Sequence, residues 1–233
     1  MKTQFPRASR AQRHLVWRTL FVRQRPRLER AMCPEFLDGL RRSGLDETGA
    51  PDHRSLSRKL FDRCGWRIET VPGLIPVADF FALLRERRFP ATDWLRHADN
   101  LEYTPEPDAF HDLFGHVPQL FVRELTDFAD DLAERARGAT REELTELERL
   151  YWFTIEFGLV RERDRLRAYG AGLASSIDEP SRARLSPEVR RVRLSPELAR
   201  ENGFDPQQEQ DMYAVADSLG QLRRCLAPST SRP

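Results

Sequence analysis

Apolar residues recur at helical spacing from Ala11 to about Arg25. Leu15, Val16, Leu20 and Phe21 join Trp17 in an amphipathic pattern that Pro26 should end or bend. Residues 34–43 predict a second helix, with Pro34 in its first turn and Ser43-Gly44 behind it. After a loop over 46–51, residues 55–64 predict a third helix, closed by Gly65. From Trp66 to Val71 apolar and polar positions alternate, which predicts a short strand before the Pro72-Gly73 turn. Residues 79–87 read as a helix that Phe89-Pro90 breaks, and Pro105 and Pro107 stiffen the approach to a further helix starting near Asp108. A helix over 122–135 comes next. Thr140, with Glu143 three positions on, caps a long helix running to Val160. The strings Leu-Ser-Pro-Glu at 185–188 and 194–197 each read as a helix opening, with Ser as cap and Pro in the first turn.

Two of these segments carry candidate chemistry. The stretch Pro107-Asp108-Ala109-Phe110-His111-Asp112-Leu113-Phe114-Gly115-His116-Val117-Pro118 packs two histidines and two carboxylates into an apolar run. His111 and His116 are five apart, and at about 100° per residue an α-helix points them roughly 140° away from each other. That excludes the i, i+4 zinc-protease arrangement. If the helix stops at Gly115, His116 falls on the turn beyond and its ring can swing back towards His111, while Pro118 blocks continuation. A third ligand is then needed. In Leu150-Tyr151-Trp152-Phe153-Thr154-Ile155-Glu156-Phe157-Gly158-Leu159-Val160 a single acid, Glu156, interrupts an apolar string, and a carboxylate there requires a cation or hydrogen-bond donors. Two His and one carboxylate form the facial triad of non-heme Fe(II) oxygenases. Histidines satisfied by local hydrogen bonds and a Glu156 paired with an arginine remain open as the alternative.

Composition narrows the field. With 233 residues the chain can bury one sizeable core, giving one domain over 11–222 between a flexible N-terminus, 1–10, and a disordered tail, 223–233. The balance of 38 basic and 37 acidic side chains supplies no general field for nucleic acid or membrane, and neither is expected as a partner. Cys33, Cys64 and Cys225 are scattered without a CxxC pair, and no apolar run approaches a spanning length, so the cytoplasm is the expected location. No GxGxxG or Walker pattern supports nucleotide binding.

Four strings in one order then carry a resemblance: Tyr103-Thr104-Pro105-Glu106-Pro107-Asp108, His111-Asp112-Leu113-Phe114-Gly115-His116-Val117-Pro118, Tyr151-Trp152-Phe153-Thr154-Ile155-Glu156-Phe157-Gly158 and Ala168-Tyr169-Gly170-Ala171-Gly172-Leu173-Ala174-Ser175-Ser176. Together they resemble the pterin-dependent aromatic amino acid hydroxylases, closest to the short bacterial phenylalanine 4-monooxygenases. The resemblance covers about residues 14–222 and is sharpest over 96–176. It implies a mainly α catalytic domain with a few short strands around an open iron pocket. It also implies Fe(II) on His111, His116 and Glu156, a tetrahydropterin such as tetrahydrobiopterin as cofactor, and dioxygen-dependent conversion of free L-phenylalanine to L-tyrosine.

Further roles follow from the same likeness. The loop Val71-Pro72-Gly73-Leu74-Ile75-Pro76 would wrap the pterin, with Leu74 and Ile75 in contact and Phe80 stacked on its ring. Asp112 would bond the pterin edge and Tyr151 would lie near pterin and metal. Arg96 would hold the substrate carboxylate, since its planar fork matches a carboxylate and keeps its charge when desolvated. Asp108 would orient that fork, while Thr104, Trp152, Gly172 and Ser175 would contact the amino acid, Trp152 against its ring. Met212-Tyr213-Ala214-Val215-Ala216-Asp217-Ser218-Leu219 resembles the strand that closes the family's domain. No regulatory domain or tetramerisation helix is expected, and a monomer is expected, with a dimer as the alternative. Glu148 puts a charge where a small residue is expected near the pterin. Hydroxylation of tryptophan or of the phenylalanine meta carbon, structural zinc at the same ligands, and a non-catalytic binder of amino acid or pterin are the rival readings.

Overall fold

A computed structural model describes residues 9–102, 104, 106–206 and 208–226. Helix α1, Arg10–Ala31, opens with a capping box in which the Ser9 hydroxyl accepts from the Gln12 N–H and the Gln12 side chain accepts from the Ser9 N–H. It does not end at Pro26. That proline and Val22, whose carbonyl it would otherwise cap, both face solvent, so water can serve the freed carbonyl, while buried Leu28 and Ala31 hold the last turn in the core. The buried face of α1 packs on the chain's central helical segment. Trp17 meets Phe110 edge-on at 5.3 Å, Phe21 meets Phe114 at 5.2 Å, and Phe110 and Phe114 stack at 4.6 Å. Each fully buried Phe side chain contributes about 1.5–3 kcal/mol. This wall fixes the back of the segment whose other side carries the two histidines.

Helices α2 (Pro34–Ser43) and α3 (His53–Cys64) match their sequence signals, each closed by a glycine in the left-handed region, Gly44 at φ 71° and Gly65 at φ 78°. Strand β1 (Arg67–Val71), helix α4 (Val77–Arg85) and strand β2 (Arg88–Thr92) form a parallel crossover in which Arg67 pairs with Arg88 and Val71 with Thr92. The Phe89-Pro90 pair, a breaker by sequence, lies inside β2. A two-stranded sheet leaves one side of β2 without a strand partner, which is where a proline lacking an N–H is tolerated.

The helix expected to stop at Gly115 continues as a π-helix over His111–His116 and a 3-10 turn over Val117–Phe121, with Pro118 near the start of that turn. Helix α5 (Arg123–Arg135) packs on α4, and α6 (Arg141–Tyr151) carries the expected Thr140–Glu143 capping box. The helical run then ends at Glu156, not at Val160, after a second π-helix, Trp152–Glu156. Leu159 and Val160 belong to strand β3 (Leu159–Glu162), because an apolar run of that length suits a buried strand as well as a helix.

Strands β4 (Arg165–Ala168), β5 (Arg190–Arg193) and β6 (Met212–Ala216) complete a mixed sheet in the order β4-β3-β6-β5. Helix α7 (Ala171–Ser175) follows β4, and α8 (Glu179–Leu185) leads to β5. Neither Leu-Ser-Pro-Glu string opens a helix as expected. The first is a turn into β5, whose Arg191 binds the Ser186 carbonyl at 2.7 Å. The second is a turn before the short helix α9 (Leu198–Glu201), whose N-cap position is Glu197 rather than Ser195 and carries no side-chain capping bond.

Both expected ends move outward. Ser9 and Arg10 belong to the start of α1, and residues 223–226 complete a 3-10 helix, Leu219–Leu226, that buries Leu222, Cys225 and Leu226. The remainder of the two expected terminal segments, 1–8 and 227–233, lies outside the described residues, as do Tyr103 and Pro105 of the first family-like string. Among the described residues no helix is long and apolar enough to cross a membrane.

Candidate functional site

The two π-helices correct the geometry that an α-helix implies. A π turn closes its hydrogen bonds five residues apart instead of four, so side chains five apart lie on one face. His111 and His116 therefore point the same way without a break at Gly115. The second π turn likewise brings Glu156 onto the face of Tyr151, which an α-helix would place about 100° away from its neighbour Trp152.

The two faces meet. His111 Nε2 lies 3.2 Å from His116 Nε2, His116 Nε2 lies 3.1 Å from Glu156 Oε1, and His111 Nε2 lies 3.6 Å from Glu156 Oε2. Three ligands bound at about 2.1 Å to one ion sit about 3.0 Å apart when mutually cis and about 3.4 Å apart when tetrahedral. The observed spacing thus fits one shared ion, and the donor set of two imidazoles and a carboxylate fits iron.

Electrostatics favour the same occupant. Burial pushes the Glu156 carboxyl up, but the two imidazoles overcome it and hold the group below its usual range. Burial drives His111 down to about 4, against the pull of Glu156, which leaves a neutral ring able to ligate. Burial also lowers His116, but Glu156, Asp112 and the Gln119 side chain together raise it above its usual value. A divalent cation there would satisfy the Glu156 carboxylate in place of a proton on His116.

Helix α7 sets the tautomer of His111. The Ser175 hydroxyl donates to the Ala171 carbonyl at 3.0 Å and so accepts from His111 Nδ1–H at 2.8 Å, leaving the Nε2 lone pair directed at the triad. Ser175, implied as a substrate contact, thus spends its hydroxyl on His111 while still lining the cavity. Two glycines allow α7 this approach. A Cβ on Gly115 would stand 2.7 Å from the Ala171 oxygen, and one on Gly170 would overlap the Glu156 carbonyl.

The triad opens on a cavity of about 650 Å³, within the range for small-molecule sites. Leu74, Ile75, Phe80 and Tyr151 line one part of it, Leu74 being 74% exposed and Phe80 meeting Tyr151 edge-on at 5.0 Å. Arg96, Thr104, Asp112, Trp152 and Gly172 also line it. Thr104 donates its hydroxyl to the Glu106 carbonyl at 2.6 Å. Asp112 Oδ2 is occupied by strand β2, accepting from the Thr92 N–H at 2.7 Å and the Thr92 hydroxyl at 2.8 Å. Burial pushes the Asp112 carboxyl up to about 7 against those two bonds. Asp112 Oδ2 therefore pins β2 to the histidine-bearing helix, while the residue still lines the cavity.

Asp108 is fully buried and does not line the cavity. Its Oδ2 accepts from Arg96 Nε at 2.8 Å and from the Arg96 backbone N–H at 2.9 Å, and its Oδ1 accepts from Arg96 Nη2 at 2.9 Å and the His111 N–H at 3.1 Å. Arg96 Nη1 donates to the Leu101 carbonyl at 3.2 Å. Three of the five guanidinium hydrogens are spent, leaving one on each Nη, which is the pair an incoming carboxylate can grip end-on.

Phe204, Glu179 and Glu148 complete the cavity. Phe204 lies flat on Trp152 at 4.1 Å and 11°, and the Trp152 N–H donates to Gln210 Oε1 at 2.9 Å. One face of the indole is thereby covered, and only its remaining surface is available to a substrate ring. Glu179 also lines the cavity and accepts from the Tyr213 hydroxyl at 2.9 Å. Phe204 sits in a polar segment with no periodicity, whereas Glu179, just beyond the Ser175-Ser176 pair, was within reach of a search for acids near the small-residue run. Glu148 lines the cavity as well, its carboxyl pushed up by burial.

A family model described as biopterin-dependent aromatic amino acid hydroxylase matches residues 4–230. The chain is 41% identical over 210 residues to a phenylalanine-4-hydroxylase of Ralstonia nicotianae, covering 90% of this chain and 67% of that protein. It is 41% identical over 222 residues to a phenylalanine-4-hydroxylase of Chromobacterium violaceum, covering 94% of this chain and 74% of that protein. A crystal structure of Chromobacterium violaceum phenylalanine hydroxylase with bound iron(III) and oxidised cofactor 7,8-dihydrobiopterin superposes with a TM-score of 0.88 at 40% identity, over 95% of this chain and 81% of that one.

Proposed function

The chain belongs to the biopterin-dependent aromatic amino acid hydroxylases, and on that premise we propose that it hydroxylates free L-phenylalanine to L-tyrosine with His111, His116 and Glu156 holding Fe(II). The observation that carries the assignment is the meeting of those three side chains, within 4.8 Å of one another, at the wall of a cavity large enough for two small molecules. Ferrous iron and a tetrahydropterin, when bound, reduce dioxygen and deliver one of its atoms to the aromatic ring.

The protein's part is placement. Arg96 grips the substrate carboxylate with its two remaining N–H groups, and Asp108 keeps the guanidinium from turning away. The same Asp108 holds the first turn of the histidine helix through the His111 N–H, so substrate anchor and ligand helix share one buried carboxylate. Trp152 and Gly172 bound the region for the substrate ring, the missing side chain of Gly172 leaving room for Phe157 beside it. Leu74, Ile75, Phe80 and Tyr151 form the apolar wall for the pterin. Tyr151 keeps its phenolic proton because burial pushes its pKa well up, so it packs without adding charge beside the carboxylates. Ser175 retains the proton on His111 Nδ1 and so keeps Nε2 a ligand. The three free cysteines, Cys33, Cys64 and Cys225, accord with work in the reducing cytoplasm.

Incubating the purified chain with Fe(II), tetrahydrobiopterin and each aromatic amino acid, followed by mass spectrometry, tests the reading. Para-tyrosine from phenylalanine is expected. Meta-tyrosine, hydroxytryptophan as the main product, or no product at all would replace it with one of the rival substrates or with a binding role.

A further inference from the structure

Gln119 sits on the 3-10 turn after the histidine π-helix and is 3% exposed. Its amide nitrogen donates to the Ile155 carbonyl at 2.8 Å and to the Tyr169 carbonyl at 2.9 Å. Ile155 immediately precedes Glu156, and Tyr169 leads into α7, whose Ser175 holds His111. One buried side chain therefore ties together the three pieces of backbone that carry the triad and its support. A flipped amide would set oxygen against two carbonyls, so the orientation is fixed: both amide hydrogens are spent and Oε1 is left only to accept.

His116 supplies the matching donor. Its ring is 3% exposed, Nε2 faces the triad, and Nδ1 is buried without a hydrogen-bond partner. A buried ring N–H left unpaired is costly, and a ligating histidine almost always gives its second nitrogen's hydrogen to an acceptor. His116 and Gln119 line the same small cavity of about 20 Å³ behind the metal site, space enough for one water.

We propose that Gln119 is the positioning residue of His116: its Oε1 takes the Nδ1 hydrogen, directly or through one water in that cavity, and so fixes the tautomer that leaves Nε2 free for the metal. Gln119 then does for His116 what Ser175 does for His111. The inference rests on the metal reading above.

Titration of the apoprotein with Co(II), followed by its visible absorption, separates the two ideas. Wild type should bind one Co(II), and failure to do so would remove the metal reading itself. Gln119→Leu loses donor and acceptor together, and its Co(II) dissociation constant should rise about 10–100-fold. Gln119→Glu loses the donors to Ile155 and Tyr169 but keeps an acceptor, so it should melt earlier than wild type while binding Co(II) nearly as well. Wild-type affinity in Gln119→Leu, or an equal loss in both variants, would reduce Gln119 to a backbone clasp and overturn the proposal. If Gln119→Leu does not fold, the ring 1H–15N spectrum of the wild-type zinc form decides. A slowly exchanging Nδ1–H on His116 is expected, and a rapidly exchanging one would refute the role.

Discussion

Replacing Asp108 by Asn tests how the substrate anchor is built. The change keeps the side chain's shape but removes its charge, and it turns one of two accepting oxygens into a donor. Four N–H groups converge on that carboxylate, three from Arg96 and one from His111. Burial pushes the carboxyl up, but Arg96 and the His111 N–H outweigh it and hold the group below its usual range, so the charge is present at neutral pH. The Arg96 side chain is 8% exposed and Asp108 0%, so water cannot replace the lost partner. Breaking a buried pair on one side costs about 3–5 kcal/mol, against 1 kcal/mol or less for an exposed pair. For a chain of this length that corresponds to a melting point lower by about 6–20 °C. A domain with about 5–15 kcal/mol of stability survives such a loss, so the variant should fold and be assayable. Its KM for phenylalanine should rise about tenfold or more while kcat changes less, because the anchor and not the chemistry is loosened. Calorimetry on wild type, Asp108→Asn, Arg96→Met and the double variant closes a double-mutant cycle. If Asp108→Asn costs as much in the Arg96→Met background as in wild type, the His111 N–H bond carries the stability and the ion-pair reasoning is refuted.

Three further outcomes follow from the same structure. Ser175→Ala removes the acceptor of His111 Nδ1–H at 2.8 Å and should weaken Fe(II) binding about 10–100-fold, read by anaerobic titration, with an unchanged constant excluding the tautomer role. Pro26→Ala should raise the melting point, since Pro in a helix interior is about 3 kcal/mol less favourable than Ala, less about 0.4–1 kcal/mol for the freer unfolded chain, and a fall would mean that α1 needs its proline. His53 opens α3 at the positive end of its dipole, and burial first, then Arg13, hold its pKa below the usual value. Its folded form therefore binds fewer protons, so its contribution is present above the unfolded pKa near 6.5 and lost as pH falls through the lower folded value. Thermal melts at pH 7.5 to 5 should fall less steeply for His53→Gln than for wild type, and parallel slopes would contradict the assignment.

Much of the site was legible in the sequence because buried charge is costly. Glu156 stood out as a lone acid in an apolar string, and His111 and His116 as two imidazoles in another. What the sequence could not convey was how they meet. Angular reasoning at 100° per residue placed the histidines on different faces, and only the π turn, which no local propensity announces, brings positions five apart together. Caps and glycine stops located α2 and α3 well, since those signals are local. Pro26 and Pro90 misled because their tolerance depends on what lies beside them, solvent in one case and an unpaired strand edge in the other. Gln119 was a polar residue in the apolar run Val117–Phe121, the same kind of signal that marked Glu156, but an uncharged amide stands out less. Phe204 reaches Trp152 only through the tertiary course of the 202–206 segment.

On the proposed reading, His111, His116 and Glu156 would share one ferrous ion, and one atom of dioxygen would enter the substrate ring. Turnover of phenylalanine under 18O2 with Fe(II) and tetrahydrobiopterin, read by mass spectrometry for wild type and His116→Ala, tests it most directly. Wild type should yield one 18O atom per tyrosine, and the variant no tyrosine. Tyrosine carrying only 16O from wild type, or labelled tyrosine formed undiminished by His116→Ala, would contradict it.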